Sequence, residues 1–307
     1  MARVGSCAVV VALVSILAPP WGAHAQGPAE TAGSAADGDA VPALRPEGCR
    51  LNPPGAEVAV RFRAEVGALG VVEHRIRYGA DGTRVDYRRD ADQDTLFLFW
   101  RLSGELQIRR RHTLVFLYQP LDLRTESVLG RDLLLGEVRF AAGTPMRFGY
   151  GFDFYRLAYQ FDLLEDARRE VAFGAGFQIR NARVGFFSQD GTEGFSQTNV
   201  GVVPLLRFRG RYTFERPVFL EVELDGLFTP TPAGRGPDDQ ISLGAILDAS
   251  LRAGLIVTPS AEVFLNLRYL GGGFRGESGD AAGLAEDDTW SSNWLHTVTV
   301  SLGFGLR

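Results

Sequence analysis

From Ile241 to Val257 every odd-numbered residue is apolar (Ile241, Leu243, Ala245, Leu247, Ala249, Leu251, Ala253, Leu255, Val257), while Ser242, Asp248, Ser250 and Arg252 take even positions. Side chains of an extended chain alternate between two faces, so one face of this segment is hydrocarbon for its whole length while the polar residues fall on the other. The same pattern runs through Glu57 to Val66, Arg101 to Arg109 and Glu170 to Arg180. The chain is therefore expected to be all-β.

Ten strands are expected, near residues 57–67, 95–108, 111–120, 146–162, 169–186, 199–214, 217–228, 240–257, 260–273 and 293–306. The connections alternate in size. Long ones (68–94, 121–145, 187–198, 229–239, 274–292) are rich in Gly, Asp, Ser and Thr, and short ones fall at 109–110, 163–168, 214–216 and 258–259. This is an up-and-down antiparallel order of about ten strands, within a range of about eight to twelve.

The N-terminal 25 residues read as a cleavable secretory signal: Arg3, an apolar run from Cys7 to Ala18, the Pro19-Pro20 break and Ala23-His24-Ala25. A lipoprotein signal is excluded by order, because Cys7 precedes the apolar run. Residues 26–54, rich in Ala, Gly, Pro, Glu and Asp, read as a disordered tail, and residues 55–307 as one barrel domain. Removing the signal leaves Cys49 as the sole thiol, and His74, His112 and His296 are widely spaced, so no disulfide, metal centre or cofactor is expected. The formal net charge of −5, from 37 acids against 32 bases, all of them arginine, gives no basic excess for nucleic acid.

Short turns on one rim, long loops on the other, an even strand count and a secretory signal together form the pattern of an outer-membrane β-barrel. From about residue 55 onward the chain resembles the small outer-membrane β-barrel proteins of Gram-negative bacteria. Its segment Trp294 to Arg307 is similar to the C-terminal strand that such barrels present to their insertion machinery, with Phe304 as the last aromatic. The resemblance implies a closed transmembrane barrel in the outer membrane, reached by secretion, with membrane lipid and the insertion machinery as partners. The same alternation would also serve a soluble barrel or sandwich with its apolar face inward. Length separates the two: about ten residues at ~3.3 Å rise and ~45° tilt cover about 23 Å, an apolar band's height, whereas soluble strands average about five or six residues.

With lipid on the apolar face, the charged face lines the lumen. Turning three arginines outward would cost about 6 to 12 kcal/mol near the midplane. The clearest expected network is a ladder across the 214–216 turn, in which Arg207, Arg209 and Arg211 face Glu221, Glu223 and Asp225, with Arg209 opposite Glu221 and Arg207 opposite Glu223. It reads as ion pairs filling a narrow barrel in preference to a selective constriction. Aromatic girdles are expected from Trp290, Trp294, Tyr269, Phe228, Phe186 and Phe187 at the long-loop end, and from Phe161, Tyr212, Phe214 and Phe219 at the other. Apolar parity in the fourth strand changes from even (Phe148, Tyr150, Phe152) to odd (Leu157, Tyr159, Phe161), implying a bulge near Phe154-Tyr155, and Pro204 implies a local break in the sixth.

Catalysis in such barrels uses rim acids with histidine or a Ser-His pair. The local candidates are Asp287-Asp288 near His296, with Asp238-Asp239 in the neighbouring loop, but His296 shares the outward parity of Val298 and Val300 and no His-x-Ser pair occurs. Glu277, Asp280, Glu286, Asp287 and Asp288 match no calcium-loop spacing. The expected role is non-enzymatic, structural or in surface recognition through loops 68–94, 121–145 and 274–292. The alternatives are a narrow channel for small solutes and, behind it, a hydrolase. The sequence leaves any extracellular ligand unknown.

Overall fold

The computed structural model describes residues 56–232, 241–277 and 290–307. The signal, the tail, Cys49, Asp238-Asp239, Asp280, Glu286 and Asp287-Asp288 lie outside the described residues. In chain order the elements are β1 (Val58–Tyr78), β2 (Val85–Asp86), the single-turn helix α1 (Tyr87–Asp90), β3 (Leu96–Ile108), β4 (His112–Gln119), β5 (Asp122–Val128), β6 (Leu133–Leu135) and β7 (Val138–Phe140). There follow β8 (Pro145–Asp162), β9 (Arg169–Ser188), β10 (Gly194–Thr213), β11 (Val218–Pro232), β12 (Ile241–Thr258), β13 (Ala261–Glu277) and β14 (Trp290–Leu306).

Long strands pair antiparallel in sequence order, and β14 returns to β1 from Phe62↔Leu306 to Tyr78↔Ser291, which closes the sheet. β4 and β5 follow one another along β8 in one register, Gln119↔Phe154 then Asp122↔Gly151, with Pro120 between them. They form one stave, and β2 is a short addition to β1, so the barrel has ten staves. All ten expected strands are present, several running further into the expected loops. β1 continues to Tyr78, and β9 and β10 stay paired up to Phe187↔Gly194.

The wall is polarised in opposite senses in its two halves. Near the short turns, Leu251 and Leu255 of β12 point outward, 50 % and 51 % exposed, while Asp248 and Arg252 point inward at 2 %. Near the long loops, the inward side is apolar. Tyr78, Phe148, Tyr150, Val184, Phe186 and Phe195 close on a cap formed by the two loops that bear α1 and the β6–β7 hairpin, which contributes Tyr87, Leu133, Leu135 and Phe140. The outer face there carries ion pairs instead, Arg183 with Asp153 at 2.7 Å and Arg75 with Glu73 at 2.6 Å. The lower half is thus built for a bilayer around it and the upper half for water around it.

This inversion corrects the reading of strand four. β8 pairs with β9 without a shift from Met146↔Ser188 to Asp162↔Ala172, so no bulge exists at Phe154-Tyr155. Even positions face inward throughout; what changes along β8 is the company they keep, from Phe148 and Tyr150 in the apolar core to Arg156 and Gln160 in the charged lumen. The bulge sits between Val71 and Glu73 of β1, and switches that strand's inward set from Leu69 and Val71 to His74, Ile76 and Tyr78. At Pro204 the β9 side is unbroken, Pro204↔Phe177, and the interruption falls on the β11 side alone.

The cap is a coherent unit. Asp86 caps α1 by accepting from Arg88 N at 3.1 Å. Arg131 donates to Asp90 at 2.7 Å and to Arg84 O at 2.8 Å, and Thr83 N donates to Leu134 O at 2.8 Å. These bonds tie loop 79–95 to loop 129–144.

Candidate functional site

The ladder opposite the 214–216 turn has a register two residues away from the expected one. Arg211 lies opposite Glu221, Arg209 opposite Glu223 and Arg207 opposite Asp225. Phe214 N donates to Val218 O at 2.9 Å, so the turn closes around Glu215, Arg216 and Pro217. Pro217, with a fixed φ and no N–H, belongs in the turn and not in the paired strand. The observed register also matches three opposite charges where the expected one matched two.

The network spreads well beyond one hairpin. Glu221 accepts from Arg211 (2.9 Å), from Arg252 (2.6 Å) and, with both oxygens, from Arg63 (3.0 Å each). Arg209 bonds Glu105 and reaches Glu223 Oε1 from Nε at 3.0 Å, and Arg207 reaches Glu223 at 2.7 Å and Asp225 Oδ1 at 2.8 Å. Asp248 gathers Arg156 (2.9 Å), Arg268 (2.6 Å) and Arg101 (3.2 Å). Glu65 is held by Arg252 (3.2 Å), Asn266 (2.7 Å) and Ser301 (3.0 Å). All of these charged side chains are almost fully buried, and guanidinium forks satisfy several carboxylates at once. Adjacent strands supply some partners, but Arg63 and Glu221, like Arg252 and Glu65, join strands that are not neighbours, so side chains reach across the lumen.

Outside, Tyr269 OH and His296 Nδ1 are 2.6 Å apart, and the His296 ring stacks on Trp294 at 6.3 Å between centroids. His296 therefore projects from the outer wall, as its parity with Val298 and Val300 implies. Trp290 has Arg77 over its ring at 5.2 Å. Phe186 and Phe219, expected in the girdles, point inward with no exposed surface, Phe186 into the apolar core and Phe219 beneath Arg211 at 3.8 Å. In their place the outer surface carries a stack the sequence reading missed, Trp100 against Tyr118 (5.4 Å) and Tyr118 against Tyr155 (4.8 Å). Its members lie on three different strands, and only the register Leu102↔Tyr118 and Tyr118↔Tyr155 brings them together.

The three described histidines each bond a neutral partner: His74 to Gln93 (3.2 Å), His112 to Tyr159 (2.7 Å) and His296 to Tyr269. Among the described residues no group of side chains is arranged to hold a metal ion. The short-turn mouth is a charged depression of about 360 Å³ that includes Arg61, Glu170, Arg211 and Arg307.

No family model and no curated protein matches this chain. Solved structures do. The outer membrane protease OmpT from Escherichia coli aligns with a TM-score of 0.51 at 11% identity, covering 80% of this chain and 96% of that one. The transport unit of the autotransporter AIDA-I from Escherichia coli aligns at 0.40 and 9% (81% and 90% covered), and the P. putida toluene transporter TodX at 0.33 and 8% (81% and 90%). At these identities the likeness concerns fold. The fold is that of the outer-membrane β-barrels, and within that class it is a closed ten-stave barrel.

Proposed function

We propose that this protein is exported to the outer membrane and works there as a non-conducting, non-enzymatic barrel, presenting the cap of loops 79–95 and 129–144 at the cell surface for recognition. One observation carries the reading: ion pairs reach across the lower lumen, and an apolar core under a hydrogen-bonded cap closes the upper end. Ten staves enclose little more than the eight whose interior side chains fill, far fewer than the 16 to 18 that leave an aqueous channel. A proteolytic role like that named for OmpT needs a base oriented by an acid, and the described histidines have neutral partners.

The experiment is single-channel recording of the refolded protein in a planar bilayer. The expected trace is flat at voltages where porins conduct. Discrete, reproducible conductance steps would overturn the reading in favour of a solute channel.

A further inference from the structure

Strands β10 and β11 are joined only in their lower parts. Their register runs from Thr213↔Phe219 to Leu206↔Gly226 and stops there, although β10 stays paired with β9 up to Gly194 and β11 stays paired with β12 up to Pro232. The cause is written in the sequence. Thr213 N donates to Arg168 O on the β9 side and Phe214 N to Val218 O on the β11 side, so even residues of β10 aim their backbone groups at β11. Pro204 is the next even residue after Leu206 and has no N–H to give. On β11, Ile256 N donates to Pro217 O, which turns odd residues toward β12 and puts Pro230 on the edge facing β10, again without a donor. Two prolines on facing edges hold a seam open in the wall.

The seam opens at the level of the outer aromatic row. Phe228, Ala245, Gly273 and Trp294 are successive register partners across β11 to β14. Outward-facing Val200, Val202, Leu206 and Phe228 flank the seam and are 64–68 % exposed, an apolar surround suited to the boundary of the hydrocarbon layer. Behind it lies a cavity of about 230 Å³ whose walls include Val203, Leu227, Ile246 and Leu270. The lining includes both outward Val202 of β10 and inward Tyr150 and Leu295, so the cavity borders the seam on one side and the apolar core on the other.

Among the described residues, one charge lines this cavity, that of Arg180. Arg61, Arg63, Arg101, Arg156, Arg207, Arg209, Arg211, Arg252 and Arg268, which point into the lumen below this level, each have a carboxylate partner. Arg180 has none among the described residues; its Nε is buried without a hydrogen-bond partner, and its guanidinium stands 5.7 Å from the Phe152 ring. It sits beside Gly201 of β10, just above the point where the seam begins. An apolar chamber, a doorway to lipid and an unpaired guanidinium specify one kind of ligand.

We propose that the cavity binds a single-chain anionic amphiphile of the fatty-acid type, which enters from the membrane between β10 and β11, lays its alkyl chain against Val203, Leu227, Ile246 and Leu270, and sets its carboxylate on Arg180. A dry cavity of about 150 Å³ accepts benzene, so one of this size takes part of a single chain and not a two-chain lipid. Ligand binding in this cavity is read without any measurement of conductance or of recognition by the cap, so it stands or falls apart from the surface-recognition reading.

The test is calorimetric titration of sodium dodecanoate and of dodecanol into the full barrel in amphipol. Saturable binding of dodecanoate at one per chain is expected, weakened about tenfold or more by Arg180→Gln while dodecanol binding is unchanged; Val203→Trp, which fills the chamber, should abolish both. Dodecanoate binding unaffected by either variant, an equal loss of dodecanol in Arg180→Gln, or displacement by phosphatidylglycerol at equal concentration would overturn the assignment. A dodecanoate carrying a terminal diazirine, irradiated with the protein in nanodiscs, should mark residues 200–206, 226–229 or 244–246. Adducts confined to other segments would overturn the route through the seam.

Discussion

Arg63 and Glu221 meet in a two-pronged ion pair, Nη1 to Oε1 and Nη2 to Oε2 at 3.0 Å each, although β1 and β11 are not neighbours in the sheet. Their bond spans the lumen, and Arg211 and Arg252 converge on the same carboxylate. Removing one partner from such a buried set leaves charges without compensation. Glu221→Ala is expected to destabilise the barrel by about 3 to 5 kcal/mol in urea titrations in lipid vesicles, against ~1 or less for a surface pair. An unchanged midpoint would mean that water already solvates these groups.

Closure through β1 and β14 leaves the sheet without a terminal strand to peel away. The mature protein should require detergent or lipid and should migrate differently on gels before and after boiling. Recovery as a freely soluble monomer would contradict the outer-membrane fold.

In the cap, Leu133 and Phe140 are fully buried although they come from a hairpin that pairs with no barrel strand. Leu133→Ala should cost the cap about 2 to 5 kcal/mol. The loss should appear as faster hydrogen exchange in 129–144 with exchange in β11 to β13 unchanged; uniform acceleration across the barrel would show that the two halves unfold as one unit.

The His296 ring lies on the outer wall with Tyr269 and Trp294. Replacement by Tyr or Trp, which suit the same interface, should leave insertion yield and thermal stability within about 1 kcal/mol of wild type. A marked drop in folding yield would assign the imidazole a role beyond its place in the girdle.

At the short-turn end Asp166 accepts from the Arg169 side chain (2.9 Å) and from Arg168 N (2.8 Å), which holds its carboxyl down at about 2. Because the folded value lies below the unfolded one of about 3.9, this contribution to turn 163–168 is complete above about pH 4 and disappears as pH falls through about 2. A carboxyl titration of Asp166 by NMR should show the depressed midpoint, and Asp166→Asn should remove the pH dependence of the Arg168 and Arg169 amides. A midpoint near 3.9 would contradict the turn geometry.

Strand positions were legible because each lipid-facing stretch must keep its parity for the full height of the membrane, as Ile241 to Val257 does. The parity change along β8 was legible too, but a change of parity has two physical causes. A bulge flips the strand over, as at Val72; a change of environment leaves the strand alone and exchanges what lies on either side, as between Tyr150 and Arg156. One strand read alone cannot separate these, and the same ambiguity makes inward Phe186 and Phe219 look like girdle residues in the sequence. Register within the ladder depended on where Pro217 falls, which parity arithmetic fixes only to within two residues. Arg63 with Glu221 and the Trp100, Tyr118, Tyr155 stack depend on closure and on cross-strand register, and neither leaves a local trace.

The inverted polarity of the two halves gives one chain two thermal responses. Apolar burial weakens on cooling, whereas the cost of taking paired charges out of water falls on heating. The capped end, held by Tyr87, Leu133 and Phe140, should therefore be the first region to loosen in the cold, while the arginine-filled end keeps its grip as temperature rises. Cold sensitivity and heat resistance are thus expected at opposite ends of the same strands.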